Sequence, residues 1–94
     1  MWSNLLRALF AVAATSVAFA APASAADDEY LHALQDSYPF LSPQQLLSEG
    51  QKICNATRGG MNSTDAVSMV VKDLQVTVPA AGNIVAAAVV NLGC

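Results

Sequence analysis

The chain has 94 residues, 54% of them hydrophobic and only 12% charged, and its net charge of −3 comes from four basic residues against seven acidic ones. Binding to nucleic acid or to an anionic lipid surface depends on clustered lysine and arginine, so this balance excludes both classes of partner. A chain of this length forms one domain, and so small a domain buries only about 60% of its unfolded surface. It therefore needs a covalent staple.

The amino-terminal segment, residues 1–25, is typical of a cleavable secretory signal peptide. Arg7 adds positive charge near the amino terminus, residues 8–21 carry no charge, and residues 23–25 match the small-residue A-x-A cleavage pattern. The uncharged run is shorter than the roughly 20 residues that a bilayer core requires, so cleavage is favoured over an uncleaved membrane anchor. We predict a protein secreted to the cell envelope or periplasm, or to the extracellular space.

Cleavage after Ala25 leaves residues 26–94 as a single domain without a membrane span, and a cut after Ala26 fits the same pattern. The loss of Arg7 changes the net charge from −3 to −4. The mature protein is therefore more acidic than its precursor.

Two cysteines remain in the mature chain, Cys54 and Cys94. Exported compartments permit disulfides, and the bond between these two is the only intramolecular pairing available. The alternatives are redox chemistry and metal ligation. A redox pair is usually spaced C-x-x-C, however, and a structural zinc site needs four ligands where this chain offers two cysteines and His32. We predict a structural disulfide and no metal site.

The first helix is predicted over residues 28–37. The acids of residues 27–29 favour a helix amino terminus, where the backbone dipole is positive. We predict that this helix buries Tyr30, Leu31 and Leu34. Residues 38–41 end the helix, because a residue before proline is disfavoured in helical geometry.

The second helix has the clearest local signal, with Ser42 as the N-cap, Pro43 in the first helical position and Gln45 completing a capping box. Leu41 and Leu46 add a hydrophobic staple. The helix is predicted to end at Gly59-Gly60. Gly50 lies inside it, and we interpret this glycine as the site of a close crossing by another helix.

Two further helices follow. Asn62 or Ser63 caps the third, and residues 76–78 form an extended connection before the last helix, residues 79–92. The predicted core residues of the third helix are Val67, Val70, Val71 and Leu74, and those of the fourth are Ile84, Val85, Ala88, Val89 and Leu92. The last helix should be the most buried. The fold class is therefore all-α, a small bundle of about four short helices stapled by one disulfide.

The inventory of reactive groups is small, since the mature chain has one histidine and seven carboxylates. Acid–base or nucleophilic catalysis needs two or more such groups brought together. We predict no catalytic residue, no metal site and no cofactor. The leading hypothesis is a non-enzymatic binding or interaction module that acts on an unknown protein or envelope partner.

An alternative hypothesis is a carrier of a small apolar ligand or haem. Tyrosine, histidine and apolar side chains are one way to hold haem, and the candidates here are Tyr30, His32 and Tyr38, with Phe40 beside them. The structural interpretation of the same residues is that the aromatic side chains belong to the core and its rim while His32 lies at the surface. We favour the structural interpretation.

Several of these features together resemble a known family. They are the acidic start with an aromatic at residues 27–31, Ser42-Pro43, the segment 50–54 with a glycine four residues before the first cysteine, and an Ala-Val helix that closes on Cys94. The chain resembles the small secreted mycobacterial and actinobacterial family catalogued as domain of unknown function 732. The resemblance implies an exported helical domain with one disulfide, and it brings no catalytic residues.

Two positions depart from the family pattern. Val78-Pro79 stands where family members often have Thr-Pro at the start of the last helix, so the cap of that helix is left open. Gly93 stands before Cys94, where an aromatic residue is common. Packing beside the final cysteine should therefore be looser.

Overall fold

The computed structural model describes residues 20–94, and residues 1–19 of the predicted signal peptide lie outside them. The described chain forms four helices, α1 (Ala20–Gln35), α2 (Pro43–Arg58), α3 (Ser63–Leu74) and α4 (Val78–Leu92), and this part of the chain contains no strand. The predicted all-α fold with four helices and one disulfide is confirmed.

Helix α1 differs from the prediction at both ends. It begins at Ala20 instead of Asp28 and ends at Gln35 instead of Ser37. The early start has a simple cause, since alanine has the highest helix propensity and residues 20–26 are mostly alanine. In the full-length chain α1 therefore passes through the predicted cleavage position, and no acid lies in its first turn. Cleavage after Ala25 would place the acids of residues 27–29 there.

The other three helices begin at side-chain caps. The Ser42 hydroxyl accepts a hydrogen bond from the Gln45 backbone N–H, and the Gln45 side chain accepts one from the Ser42 N–H, which confirms the predicted capping box. Asn62, one of the two candidates, caps α3. Thr77 caps α4 by accepting from the Ala80 N–H, so this helix begins one residue earlier than predicted.

Helix α4 lies at the centre of the fold, because it packs against each of the other three helices while α1 does not pack against α3. The core is formed by apolar side chains from all four helices and the loop before α2, namely Tyr30, Leu34, Leu41, Leu46, Ile53, Ala66, Val70, Ala81, Ile84, Val85 and Ala88. Leu92 is only half-buried, and the prediction for Val89 was wrong, because 43% of it is exposed. The α4 surface therefore reaches solvent at its carboxyl-terminal end.

Gly50 marks a close contact among three helices, as predicted. A Cβ atom at this position would lie 2.8 Å from Leu92 Cδ1 on α4 and 3.0 Å from Tyr30 Cζ on α1. Carbon atoms pack at about 3.5–4.0 Å, so a side chain here would force its neighbours to move. Glycine is required because α1 and α4 both approach α2 at this residue.

The predicted disulfide is present. Cys54 on α2 is bonded to Cys94, two residues beyond α4, across a sequence separation of 40. Gly93 has a positive φ of 76°, and this left-handed conformation terminates α4 just before the second cysteine. The bond therefore ties the end of the central helix to α2.

No single helix within residues 20–94 has both the length and the apolar character needed to cross a membrane. Only α3 and α4 taken together have a suitable length and composition, and they are bent by 114° at their junction. Both contribute side chains to the core.

Candidate functional site

The structure separates the three residues proposed for haem or apolar-ligand binding. Tyr30 is fully buried, and its hydroxyl donates a 2.7 Å hydrogen bond to the Leu46 carbonyl oxygen of α2. Burial, with the nearby Glu49 carboxyl, raises the pKa of the Tyr30 phenol above its ordinary value. Tyr30 therefore serves as a core residue that joins α1 to α2.

His32 and Tyr38 lie elsewhere. His32 is exposed on α1, whereas Tyr38 is half-buried in the following loop. Tyr38 lines a shallow surface groove that includes neither Tyr30 nor His32. The groove beside Tyr38 thus does not bring these three residues together.

Tyr38 belongs to an exposed surface patch formed with Phe40 and with residues of α4. Its ring meets that of Phe40 edge to face at a centroid distance of 6.3 Å, and its hydroxyl accepts a 2.9 Å hydrogen bond from the Asn83 amide on α4. The groove beside it, of about 320 Å³, extends along α4 past Ala86 to Val90. We call the surface formed by Tyr38, Phe40, Asn83, Ala86 and Val90 the aromatic face.

The aromatic face leaves most of two apolar side chains exposed, with 68% of Phe40 and 78% of Val90 accessible to solvent. Contiguous exposed apolar surface on a small protein marks a site of interaction. The Asn83–Tyr38 hydrogen bond fixes the loop against α4, so this surface is held in shape before any partner arrives. The aromatic face is the candidate binding site.

A second cluster joins α2 to α3. Glu49 is only 5% exposed, and its Oε2 atom has no hydrogen-bond partner within the described residues. Beside it, Lys52 of α2 and Asp73 of α3 form an ion pair with an N–O distance of 2.7 Å. Burial raises the pKa of Glu49 to about 7, assisted by a hydrogen bond with Asp73 and by its charge, while Lys52 acts in the opposite direction. Hydrogen bonding lowers the pKa of Asp73, with the larger effect from Lys52 and a smaller one from Glu49.

Sequence reasoning missed this buried acid, although a signal was present. Glu49 follows Leu46 by three residues and precedes Ile53 by four, so helical periodicity places it on the buried side of α2. A buried carboxyl with a raised pKa can mark a catalytic group. Glu49, however, does not line the groove beside Tyr38. It also does not line a second groove, formed mainly by α3. It faces Tyr30, Lys52 and Asp73 instead.

We expect this carboxyl to make the stability of the fold depend on pH. The pKa of Glu49 in the folded state, about 7, exceeds its ordinary value of 4.5. The stabilisation is therefore complete below about pH 4.5 and is lost as the pH rises through 7. Urea unfolding at pH 5 and at pH 8 should show a decrease of up to about 3 kcal/mol in the free energy of unfolding.

Glu49→Gln should remove most of this decrease, because the amide cannot ionise. The matched control is Glu29→Gln, which neutralises an exposed acid of α1 and leaves Glu49, Lys52 and Asp73 unchanged. The lowered pKa of Asp73 affects stability only at acidic pH, where its stabilisation is lost as the pH falls. If the free energy of unfolding fell equally between pH 5 and pH 8 in wild type and Glu49→Gln, the pH dependence could not be assigned to Glu49.

No group of three or more histidine, cysteine, aspartate or glutamate side chains that could hold a metal ion is found in residues 20–94. Met61 and Met69 are half-buried and pack against the core. Both cysteines are in the disulfide. The polar chemistry of the described chain is thus concentrated in the Glu49 cluster and at the helix caps.

The fold and its surface define a small all-helical domain closed by one disulfide, with an exposed aromatic patch. The chain belongs to a family of proteins of unknown function, DUF732, whose model matches residues 26–94. The family resemblance drawn from the sequence is confirmed. No curated protein and no solved structure matches the chain.

Proposed function

We propose that this protein is a non-enzymatic binding module, acting in the cell envelope or outside the cell, that captures a protein partner through the aromatic face. The observation that carries the proposal is the exposure of Phe40, whose ring contacts Tyr38, and of Val90, which lines the groove beside Tyr38. Aromatic side chains are enriched in protein interfaces, where a few well-packed residues provide most of the binding energy.

The geometry of the aromatic face supports a protein partner. The groove is shallow and open, and Phe40 does not line it but contacts Tyr38, which does. A protein interface needs a rigid apolar centre with polar groups at its rim. Asn83 and Asn91 line the groove and can supply that rim.

Charge and covalent structure support the class of partner and the compartment. Exposed acids, including Asp28, Glu29, Asp36 and Asp65, outnumber the exposed basic residues of the described chain, which argues against nucleic acid and anionic lipid. The Cys54–Cys94 bond is consistent with an oxidising compartment, and the predicted signal peptide provides the route to it. After cleavage the protein would carry no membrane span.

The test is chemical cross-linking of the oxidised protein in an envelope extract of its own host, followed by identification and purification of the partner. Calorimetry with the purified partner should then show a negative heat-capacity change, because the interface buries apolar surface. Phe40→Ala should weaken binding at least tenfold, the loss expected for a residue at the centre of an interface. Val90→Ser should weaken it as well.

The matched control is Val78→Ser, which removes a valine of similar exposure, 64%, from a surface outside the aromatic face. Thermal unfolding of all three variants should match wild type, since each altered side chain is exposed. Equal affinity of Phe40→Ala and wild type for the purified partner would overturn the assignment to this face. Turnover of a substrate by the purified protein would overturn the non-enzymatic role.

A further inference from the structure

A second apolar surface lies on α3 and is separate from the aromatic face. Its residues follow one side of α3 at helical spacing, and Val78 joins them from the start of α4, where the two helices meet at 114°. We call this surface the valine groove; its lining residues are Thr64, Val67, Ser68, Val71, Lys72 and Val78. At 1.5 Å per residue, the stripe on α3 is about 12 Å long.

The valine groove contains apolar residues of α3 that are only partly buried in the core. On α3 only Ala66 and Val70 are fully buried. Val67 and Val71, both predicted as core residues, touch the core from one side and line the groove with the other. The floor is therefore a strip of valine methyl groups anchored in the packed interior.

The polar groups of the valine groove have a definite order. Lys72 lies at the carboxyl-terminal end of the stripe, and the hydroxyl groups of Ser68 and Thr64 follow toward the other end. Within residues 20–94 the ion pair is that between Lys52 and Asp73, so Lys72 has no acidic partner there. An unpaired cation beside an apolar strip is notable in a chain with seven acids and four basic residues.

The occupant must match an elongated apolar floor and a single cation at one end. The groove volume, about 400 Å³, lies at the small end of the range for ligand sites, about 300–1,000 Å³. One alkyl chain fits a narrow strip of this length, and a carboxylate at its end would meet the Lys72 ammonium. Phosphate or sulfate alone would leave the valines uncovered.

We propose that the valine groove binds a single acyl chain that ends in a carboxylate, with the carboxylate at Lys72 and the alkyl chain along Val71 and Val67, beside Val78. This site is independent of the protein partner at the aromatic face, because the two surfaces share no residue. It gives the protein a ligand of defined chemistry, a fatty acid.

The test is titration of the oxidised protein with hexanoate, octanoate and decanoate below their micelle concentrations, followed by NMR of the valine methyl groups. The methyl signals of Val67, Val71 and Val78 should shift, and those of Val90 should not. Each added methylene group should lower the dissociation constant about twofold to fourfold until the groove is filled, as expected for partial to full burial of a CH₂ group.

Two variants separate the charge from the apolar strip. Lys72→Gln should weaken octanoate binding severalfold and leave octanol binding unchanged, while Val78→Ser should weaken both. The matched control is Arg58→Gln, which removes an exposed positive charge outside the groove and should change neither affinity. All three side chains are exposed, so these variants keep the fold.

Three results would overturn the proposal. The first is an affinity that does not depend on chain length, and the second is a Lys72→Gln variant that binds octanoate as tightly as wild type. The third is self-association, detected by sedimentation, that Val78→Ser abolishes, because a second copy of the chain would then cover the groove. A negative result for the valine groove does not affect the proposal for the aromatic face. That proposal is tested separately, by the affinity of Phe40→Ala for the purified protein partner.

Discussion

Replacing both cysteines with alanine, Cys54→Ala together with Cys94→Ala, should lower the free energy of unfolding by about 4 kcal/mol. The disulfide closes a loop with a sequence separation of 40, and the chain-entropy model assigns about this value to a loop of that length. Small domains have total stabilities of about 5–15 kcal/mol. The melting temperature should therefore drop by roughly 15–30 °C, which circular dichroism during heating will measure.

The control for this experiment is wild type treated with a reductant, which opens the loop and keeps both sulfur atoms. Cys54 is buried, so the alanine variant also loses packing, and the reduced wild type isolates the effect of the cross-link. Intact mass after alkylation without reductant should show no free thiol in the oxidised protein. Equal unfolding midpoints for the oxidised and reduced forms would contradict a stabilising role for the bond.

Tyr30→Ala should have a comparable effect, a loss of about 3–5 kcal/mol, the range found when a large buried aromatic side chain is truncated. Tyr30 is fully buried, donates to the Leu46 carbonyl and lies against Gly50. Its removal leaves a cavity between α1 and α2. Urea unfolding of the oxidised protein will give the difference directly.

Tyr30→Phe is the matched control, because it keeps the ring and removes only the hydroxyl hydrogen bond. We expect it to cost about 1 kcal/mol. A loss as large as that of Tyr30→Ala would mean that the hydrogen bond, and not the ring, holds α1 in place. Near-native stability of Tyr30→Ala would show that α1 does not belong to the cooperative core.

A double-mutant cycle with Gly50→Ala tests the contact itself. In wild type the added methyl group meets Tyr30 and Leu92, and such overpacking costs about 1–3 kcal/mol. In the Tyr30→Ala background one of these neighbours is gone, and the higher helix propensity of alanine contributes about 1 kcal/mol in the opposite direction. The cost of Gly50→Ala should therefore shrink, and strict additivity would contradict the proposed packing.

The disulfide connects stability to compartment. If the staple supplies about 4 kcal/mol, the protein is markedly more stable where cysteines oxidise, which agrees with the predicted export. The full-length chain is helical through the predicted cleavage position. Signal removal would then shorten α1 at its amino end without touching Tyr30 or Leu34, the residues of α1 that lie in the core.

Local chemistry explains which parts of the fold could be predicted. The start of α2 depends on groups within three residues of one another, Ser42, Pro43 and Gln45. The cap at Asn62 and the end of α2 at Gly59-Gly60 are equally local. The cap of α4 was left open because the expected Thr-Pro pair is displaced. Thr77 serves in its place, separated from Pro79 by Val78.

Longer-range features of the fold were predicted only in part. Gly50 indicated a close crossing, and the disulfide was predictable because two cysteines allow one pairing. The start of α1 was placed too late, since the acids of residues 27–29 resemble a helix start while the alanines before them extend the helix. Val89 was placed in the core by periodicity alone, although α4 already has neighbours on its other sides.

The amino-acid sequence by itself therefore determined the number of helices, the cap of α2, the staple and the family, because each depends on neighbouring residues or on a single possible pairing. Only the tertiary structure decided which side chains reach the surface. It buried Glu49 between α2 and α3 and left Phe40 and Val90 exposed. It also turned Val67 and Val71 toward a groove. These outcomes follow from how helices approach one another in space, and helical periodicity fixes only the side of a helix on which a residue lies.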